Sequence, residues 1–232
     1  MQIDDVEATL PFNGERIHLK MPNVIHLNLV ARYLASQEDV PFLRDFNKYR
    51  DVRYVLDVGA NIGLVSLVFS ATWPNATIHS LEPSPLNFEY LEYNLRYVEH
   101  SIPEMKGAFD RAGFMGLSLP PPRSWNVNTG QFTLFGEGED VEIVELGRLD
   151  DIAQFPVDFL KLDVEGAEIE ALDGASRIIR EDRPILMVEF REYNLERAGH
   201  TTKELLEHIL DKGYRQMPDY RGDAIFVHED YL

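Results

Sequence analysis

The chain has 232 residues, 40 acidic against 22 basic, a formal net charge of −18 and no cysteine. That length fits one α/β domain with a modest extension and buries a core without covalent staples. The missing cysteines exclude disulfides, thiolate metal sites and a thiol nucleophile, and the negative total repels phosphate backbones, so a nucleic-acid partner is not expected.

The first residues, Met1-Gln2-Ile3-Asp4-Asp5, are acidic and carry neither the basic nor the apolar region of a secretory leader, and no apolar run reaches membrane-spanning length. The expectation is a cytoplasmic protein with no membrane partner. Residues 1–50 read as an N-terminal extension or cap, with strand-like alternation over 16–21 and a helical apolar pattern over 26–35. From residue 54 the order becomes strand (54–58), helix (62–71), strand (76–81) and a helix opening at Ser84-Pro85, where Ser84 suits the cap and Pro85 the first turn. Residues 51–232 form the main domain on this reading. Glycine and proline break residues 101–149 into short pieces that fit sheet strands or a hairpin insertion over about 111–148, with a surface turn at Pro120-Pro121-Pro122. Trp125, Asn126 and Asn128 fall there, as a lid over a site or as packing for the insertion. Alternation then resumes: a strand over 157–164, a helix from 167 with Gly174 near its end, and a strand over 184–190. Thr201-Thr202-Lys203-Glu204 is a capping box before an apolar helix that Gly213 stops, and residues 214–217 and 224–227 make a terminal strand pair.

Two stretches carry chemistry. In Val55-Leu56-Asp57-Val58-Gly59-Ala60-Asn61-Ile62-Gly63-Leu64 a strand runs through a glycine-punctuated turn into a helix. The glycines allow close approach of a ligand to the backbone, and the helix start offers free N–H groups. A dinucleotide fingerprint needs a second glycine where Asn61 stands, which weakens the nicotinamide and flavin readings. The loop suits a ligand without a pyrophosphate, such as S-adenosylmethionine, whose ammonium group could meet Asp57 directly or through water. Glu82, at the carboxyl end of the next strand, is placed to accept both hydroxyls of a ribose, although an acid before a proline can also simply end a strand.

The second stretch is Phe159-Leu160-Lys161-Leu162-Asp163-Val164-Glu165-Gly166-Ala167-Glu168. Strand alternation puts Lys161 and Asp163 on one face, and Glu165 and Glu168 at the following helix start can share another. Ionisable groups thus converge at a strand's carboxyl end, where open α/β sheets bind ligands; the bland alternative is acids complementing a helix dipole, with Lys161 neutralising them.

These stretches, with Glu82-Pro83, Leu149-Asp150-Asp151, Leu172 and Gly174-Ala175, resemble the FkbM-type family of S-adenosylmethionine-dependent methyltransferases over about residues 55–190. The resemblance implies a Rossmann-like, doubly wound α/β fold with a mostly parallel seven-stranded sheet. It implies cofactor contacts from Asp57, Gly59, Asn61, Gly63 and Glu82, with Ala108 and Phe109 near the adenine, and it sets Asp163 and Glu165 facing the transferred methyl group. It also implies a hydroxyl acceptor on a small molecule such as a sugar or polyketide-like natural product. For that reaction Asp163 or Glu165 is the candidate base, and Lys161 orients it or eases developing negative charge. Glu189 fits a substrate hydrogen bond or a pair with Arg191 or Lys161, and His200 is a further candidate base. A divalent metal on Asp163 and Glu189 is compatible with the spacing but not required by it. Two other readings stay open: a methyltransferase acting on a macromolecule through a patch of Arg44, Lys48, Arg50 and Arg53, and a cofactor-binding scaffold without turnover.

Overall fold

The structure, a computed structural model, describes residues 5–12, 15–23, 26–28, 30–31, 39–118, 132–136 and 141–232. β1 (Val6–Phe12) and β2 (Glu15–Met21) pair as an antiparallel hairpin. The hairpin is stitched to the main body: the Asn94 side chain accepts the Lys20 N–H at 2.8 Å and donates to the carbonyls of Lys20 and Ile62 at 3.0 and 2.8 Å. Residues 26–28 and 30–31 are helical, and α1 (Asp39–Arg44) follows.

Next come β3 (Tyr54–Val58), α2 (Leu64–Thr72), β4 (Thr77–Leu81), α3 (Pro85–Leu95) and β5 (Ser101–Glu104). β6 (Gly107–Ala108), β7 (Gly113–Ser118) and β8 (Val141–Gly147) form a small side sheet in the order β6-β8-β7. The expected insertion contributes β7 and β8 to it, whereas Pro120–122, Trp125, Asn126 and Asn128 lie outside the described residues. α4 (Leu149–Ile152), β9 (Phe159–Leu162), α5 (Glu168–Asp173), β10 (Ile185–Val188), α6 (Glu192–Ala198), α7 (Thr202–Leu210), β11 (Tyr214–Tyr220) and β12 (Asp223–His228) complete the chain.

The main sheet has seven strands in the order β11-β12-β10-β9-β3-β4-β5. β5, β4, β3, β9 and β10 run parallel and β12 opposes both its neighbours, so the expected mostly parallel, doubly wound α/β fold is what forms. From β3 the chain winds outward to β4 and β5; from β9 it winds the other way to β10. The crevice between β3 and β9 is therefore the topological switch point, where such sheets take their ligands.

Side-chain parity sorts the sheet. Val55, Phe159, Ile185, Met187, Ile225 and Val227 face one core with Val68 and Phe69 of α2 and Leu91 and Leu95 of α3. Leu56, Val58, Leu160, Leu162, Leu186 and Phe226 face the other, with Leu172 of α5 and Leu205 and Ile209 of α7. Local capping departs from expectation in two places. α2 starts at Leu64, two residues late, because Gly63 with φ +87° is its N-cap. Ser84 precedes α3 without capping it through its side chain, since its hydroxyl donates to Glu142 at 3.3 Å instead. The Thr201–Glu204 capping box forms as expected.

At the opposite edge, Asp158 binds Arg50 Nε at 2.6 Å through one oxygen and the N–H groups of Arg53 and Tyr54, both at 2.9 Å, through the other. Arg44 donates to the carbonyls of Ala71 and Thr72 at the end of α2, and Arg53 pairs with Asp51. Of the basic patch expected of a macromolecule-binding enzyme, Arg50 is thus committed to internal bonds, whereas Arg44, Lys48 and Arg53 stay exposed. Asp158→Ala strips partners from a half-buried guanidinium and two backbone donors, and should lower the unfolding free energy by about 2–4 kcal/mol, read as a lower urea midpoint with an unchanged slope.

Candidate active site

A cavity of about 270 Å³ opens at the switch point, lined by residues of the glycine loop (Gly59, Asn61, Ile62), by Glu82, by Gly107 and Ala108 of β6, and by Lys161, Asp163 and Glu165. His26 and Val30 close another side, and Leu117, Phe132, Leu134 and Leu146 add an apolar wall from the side sheet.

The loop is shaped by two left-handed residues. Gly59 has φ +75°, and a Cβ there would lie 1.8 Å from the Asp163 carbonyl oxygen, so the loop and β9 touch backbone to backbone. Asn61 has φ +51°, a conformation that asparagine tolerates better than most side chains, which explains how it replaces the fingerprint's glycine. Its N–H donates to Glu82 Oε2 at 2.9 Å, while Glu82 Oε1 accepts the Ser84 N–H at 3.0 Å and the Asn87 amide at 3.4 Å. Burial pushes the Glu82 carboxyl up to about 7, against those donors. Gly63 does not line the cavity; its place is the α2 cap, where a Cβ would meet Leu91 at 3.0 Å.

Parity explains the charged cluster. Asp57 and Lys161 are direct partners across β3 and β9, on the same face as Asp163, Glu189 and Asp223 by alternation along their strands. Lys161 Nζ lies 3.1 Å from Asp57 Oδ1, 3.1 Å from the Gly59 carbonyl and 3.5 Å from Asp163 Oδ2. Burial opposes its charge, but the Asp57 and Asp163 carboxylates outweigh that and hold its pKa above the ordinary lysine value. Asp57 is fully buried and its second oxygen accepts the Ser66 hydroxyl at 2.6 Å. It therefore does not face the cavity as expected of a cofactor contact; with Lys161 it fixes the glycine loop to β9.

Asp163, Glu165 and Glu189 bring carboxylate oxygens within 4.8 Å of one another. Their partners differ, although the Asn194 amide reaches both Glu165 and, at 3.5 Å, Glu189. Asp163 has Lys161, and Glu189 is gripped by Arg191. Glu165 accepts the Asn194 amide of α6, with φ +53° and its carbonyl bonded by the Thr133 hydroxyl at 3.0 Å. Burial, then the charges of Glu189 and Asp163, push Glu165 up to about 8; burial and Asp163 put Glu189 at about 7. The triad's hard oxygens are the right donors for a divalent cation, yet Lys161 and Arg191 already supply positive charge to two of them. Asn194 and Asp223, whose carboxyl burial raises to about 6, were not marked by sequence. Parity with Ile225 and Val227 was the available sign for Asp223, and Gly199, left-handed after α6, for the helix carrying Asn194.

Two other expected site residues lie away from the cavity, and Glu168 bonds the backbone at its own helix start. His200 does not join the acids: its Nε2 pairs with Glu170 of α5 at 2.9 Å, because α5 and α7 pack on the sheet's other face. Phe109 does not line the cavity but packs with Leu117, Phe132, Val144 and Leu146, leaving Ala108 as the wall residue. Glu168 turns inward, accepting the N–H groups of Val164 and Gly166 at 3.1 and 3.3 Å.

A protein-family profile described as the Methyltransferase FkbM domain matches residues 57–216. The chain belongs to the FkbM methyltransferase family. Methyltransferase sdnD of Sordaria araneosa is 31% identical over 197 residues, covering 66% of this chain and 75% of its own. The 31-O-demethyl-FK506 methyltransferase FkbM of Streptomyces tacrolimicus is 27% identical over 195 residues, covering 67% of this chain and 74% of its own. Among solved structures, a methyltransferase FkbM from Methylobacillus flagellatus KT superposes with a TM-score of 0.53 at 21% identity, over 76% of this chain but only 44% of that one. That likeness supports the fold. No helix among the described residues of this FkbM-family chain is long and apolar enough to cross a membrane.

The raised Glu165 carboxyl gives a pH test. A carboxyl whose folded pKa lies above its unfolded value adds stability that is present below the unfolded value and lost as pH rises through the folded one. Glu165→Gln should therefore melt like the wild type near pH 4.5 and several degrees higher at pH 8, where the wild type must hold a charge next to Glu189 and Asp163. Thermal scans at the two pH values decide it; a constant difference would show that the charge is not the cause.

Proposed function

We propose that the protein transfers a methyl group from S-adenosylmethionine to a hydroxyl of a small molecule. The observation carrying this is that one cavity is walled on one side by the Gly59–Asn61 loop with Glu82 and on the other by Asp163 and Glu165. The donor set fits the cofactor: a left-handed glycine that lets a ligand lie against backbone, a buried acid for ribose hydroxyls, and Ala108 beside the nucleoside. Bound there, the sulfonium supplies the methyl group with its own leaving group.

The protein's part is alignment and proton removal. Glu165 is the base: of the three acids it is the one with no ion pair among the described residues, and its raised pKa suits proton acceptance near neutrality. Asp163, neutralised by Lys161, orients the acceptor, while Glu189, paired with Arg191 outside the cavity lining, adds negative charge beside the two acids. The relative named as a 31-O-demethyl-FK506 methyltransferase, an enzyme of a hydroxylated natural product by that name, favours the same acceptor class. The test is labelled methyl transfer to a panel of polyhydroxylated small molecules. Wild type should label at least one acceptor and Glu165→Gln should lower kcat about 10²–10⁴-fold while S-adenosylhomocysteine still binds. Labelling that survives Glu165→Gln intact contradicts the assigned base, and stabilisation by dinucleotides but not by S-adenosylhomocysteine contradicts the cofactor.

A further inference from the structure

Glu165 and Gly166 are the central residues of a turn that leaves β9 for α5, closed by the Ala167 N–H on the Val164 carbonyl at 3.4 Å. Both have positive φ, +53° and +112°. Turns fill such a pair with glycine, asparagine or aspartate, because a longer side chain costs about 1–2 kcal/mol there. Gly166 follows that rule and has a packing reason besides: a Cβ on it would lie 2.5 Å from the Asn194 carbonyl oxygen. Glu165 breaks the rule, and strain of this kind persists only where neighbours hold it.

Two neighbours do so. The Asn194 amide meets the Glu165 carboxylate, and the Thr133 hydroxyl donates to the Glu165 backbone carbonyl at 3.0 Å. Thr133 is 3% exposed and is itself fixed. Its N–H and carbonyl exchange bonds with Ser118 at the end of β7, at 3.3 and 2.8 Å, and its hydroxyl accepts the Phe135 N–H at 3.2 Å. The direction in which a side chain leaves the backbone follows φ and ψ, so the bond to the carbonyl sets where the carboxylate points. Phe132 and Leu134, on either side of Thr133, line the cavity. One segment, 132–136, thus supplies part of the apolar wall and the grip on the acid.

We propose that Thr133 is a positioning residue for the base, holding the Glu165 backbone in its left-handed conformation so that the carboxylate stays in the cavity wall. This rests on the reading of Glu165 as the base and goes beyond it. Thr133→Val removes the hydroxyl at nearly unchanged shape, and Thr133→Ser keeps it. Ser118→Ala is the control: it loses the bond to the Gly136 carbonyl that ties down the same segment, without touching Glu165. In the labelled methyl-transfer assay Thr133→Val should lower kcat about ten- to a hundredfold, with the KM for S-adenosylmethionine and the affinity for S-adenosylhomocysteine unchanged. Thr133→Ser should recover most of kcat, and Ser118→Ala should keep it even where it melts earlier. Wild-type kcat in Thr133→Val, no rescue by serine, or an equal loss in Ser118→Ala overturns the proposal. A crystal structure of Thr133→Val reads the same point without an acceptor: Glu165 should leave positive φ and its carboxylate the Asn194 amide, and an unmoved Glu165 overturns the proposal. Wild type that methylates nothing contradicts the base reading, while that crystal structure still decides whether Thr133 holds Glu165.

Discussion

Gly59→Ala is expected to abolish S-adenosylhomocysteine binding and to lower the unfolding free energy by more than about 3 kcal/mol. Two costs combine. The residue sits at φ +75°, where a side chain is disfavoured by about 1 kcal/mol, and the new methyl would lie 1.8 Å from the Asp163 carbonyl oxygen. That oxygen belongs to backbone at the end of β9 and has no rotamer to change, so the loop must move off the strand. Moving it also breaks the Lys161 bond to the Gly59 carbonyl and the Asn61 N–H bond to Glu82. Gly113→Ala is the control, since a Cβ there meets nothing within 4 Å. Urea unfolding of both variants reads the difference, and equal midpoints would show that the loop and β9 are not in contact.

Lys161→Met is the second large effect, expected to cost about 3–5 kcal/mol. The lysine is 2% exposed and its partner Asp57 fully buried, so deletion of the cation leaves a carboxylate in the core with the Ser66 hydroxyl as its remaining strong donor. Much of the cost is that of stranding Asp57, not the worth of the pair. Asp57→Asn combined with Lys161→Met should therefore recover a good part of it, and the coupling in a double-mutant cycle should exceed about 1 kcal/mol. If the two changes simply add, the ion pair is not what joins the loop to β9.

The glycine turn, Glu82 and the cluster after β9 were legible because each is local: a strand's apolar run, a turn residue and a helix start lie within a dozen positions. The family resemblance followed from them, and with it the doubly wound seven-stranded sheet it implies; the strand order did not. Roles that depend on which strands become neighbours were not legible. Asp57 reads as a cofactor contact until β3 is seen beside β9, whose Lys161 claims it. His200 reads as a base until α5 puts Glu170 against it. Phe109 follows a cavity residue by one position and so points away from it, into the side sheet's own core. Asn194 was hidden because α6 is a short helix without a strong apolar period, its one clear mark being the left-handed Gly199 behind it. The N-terminal wall was hidden for another reason: His26 and Val30 sit on an apolar helical pattern that fixes a helix but not what it covers.

The most direct measurement is a crystal structure of the complex with S-adenosylhomocysteine. The account requires the ribose hydroxyls on Glu82, the adenine beside Ala108, and the sulfur turned toward Asp163 and Glu165. A nucleoside bound away from Glu82, or a sulfur facing away from those two acids, would contradict it.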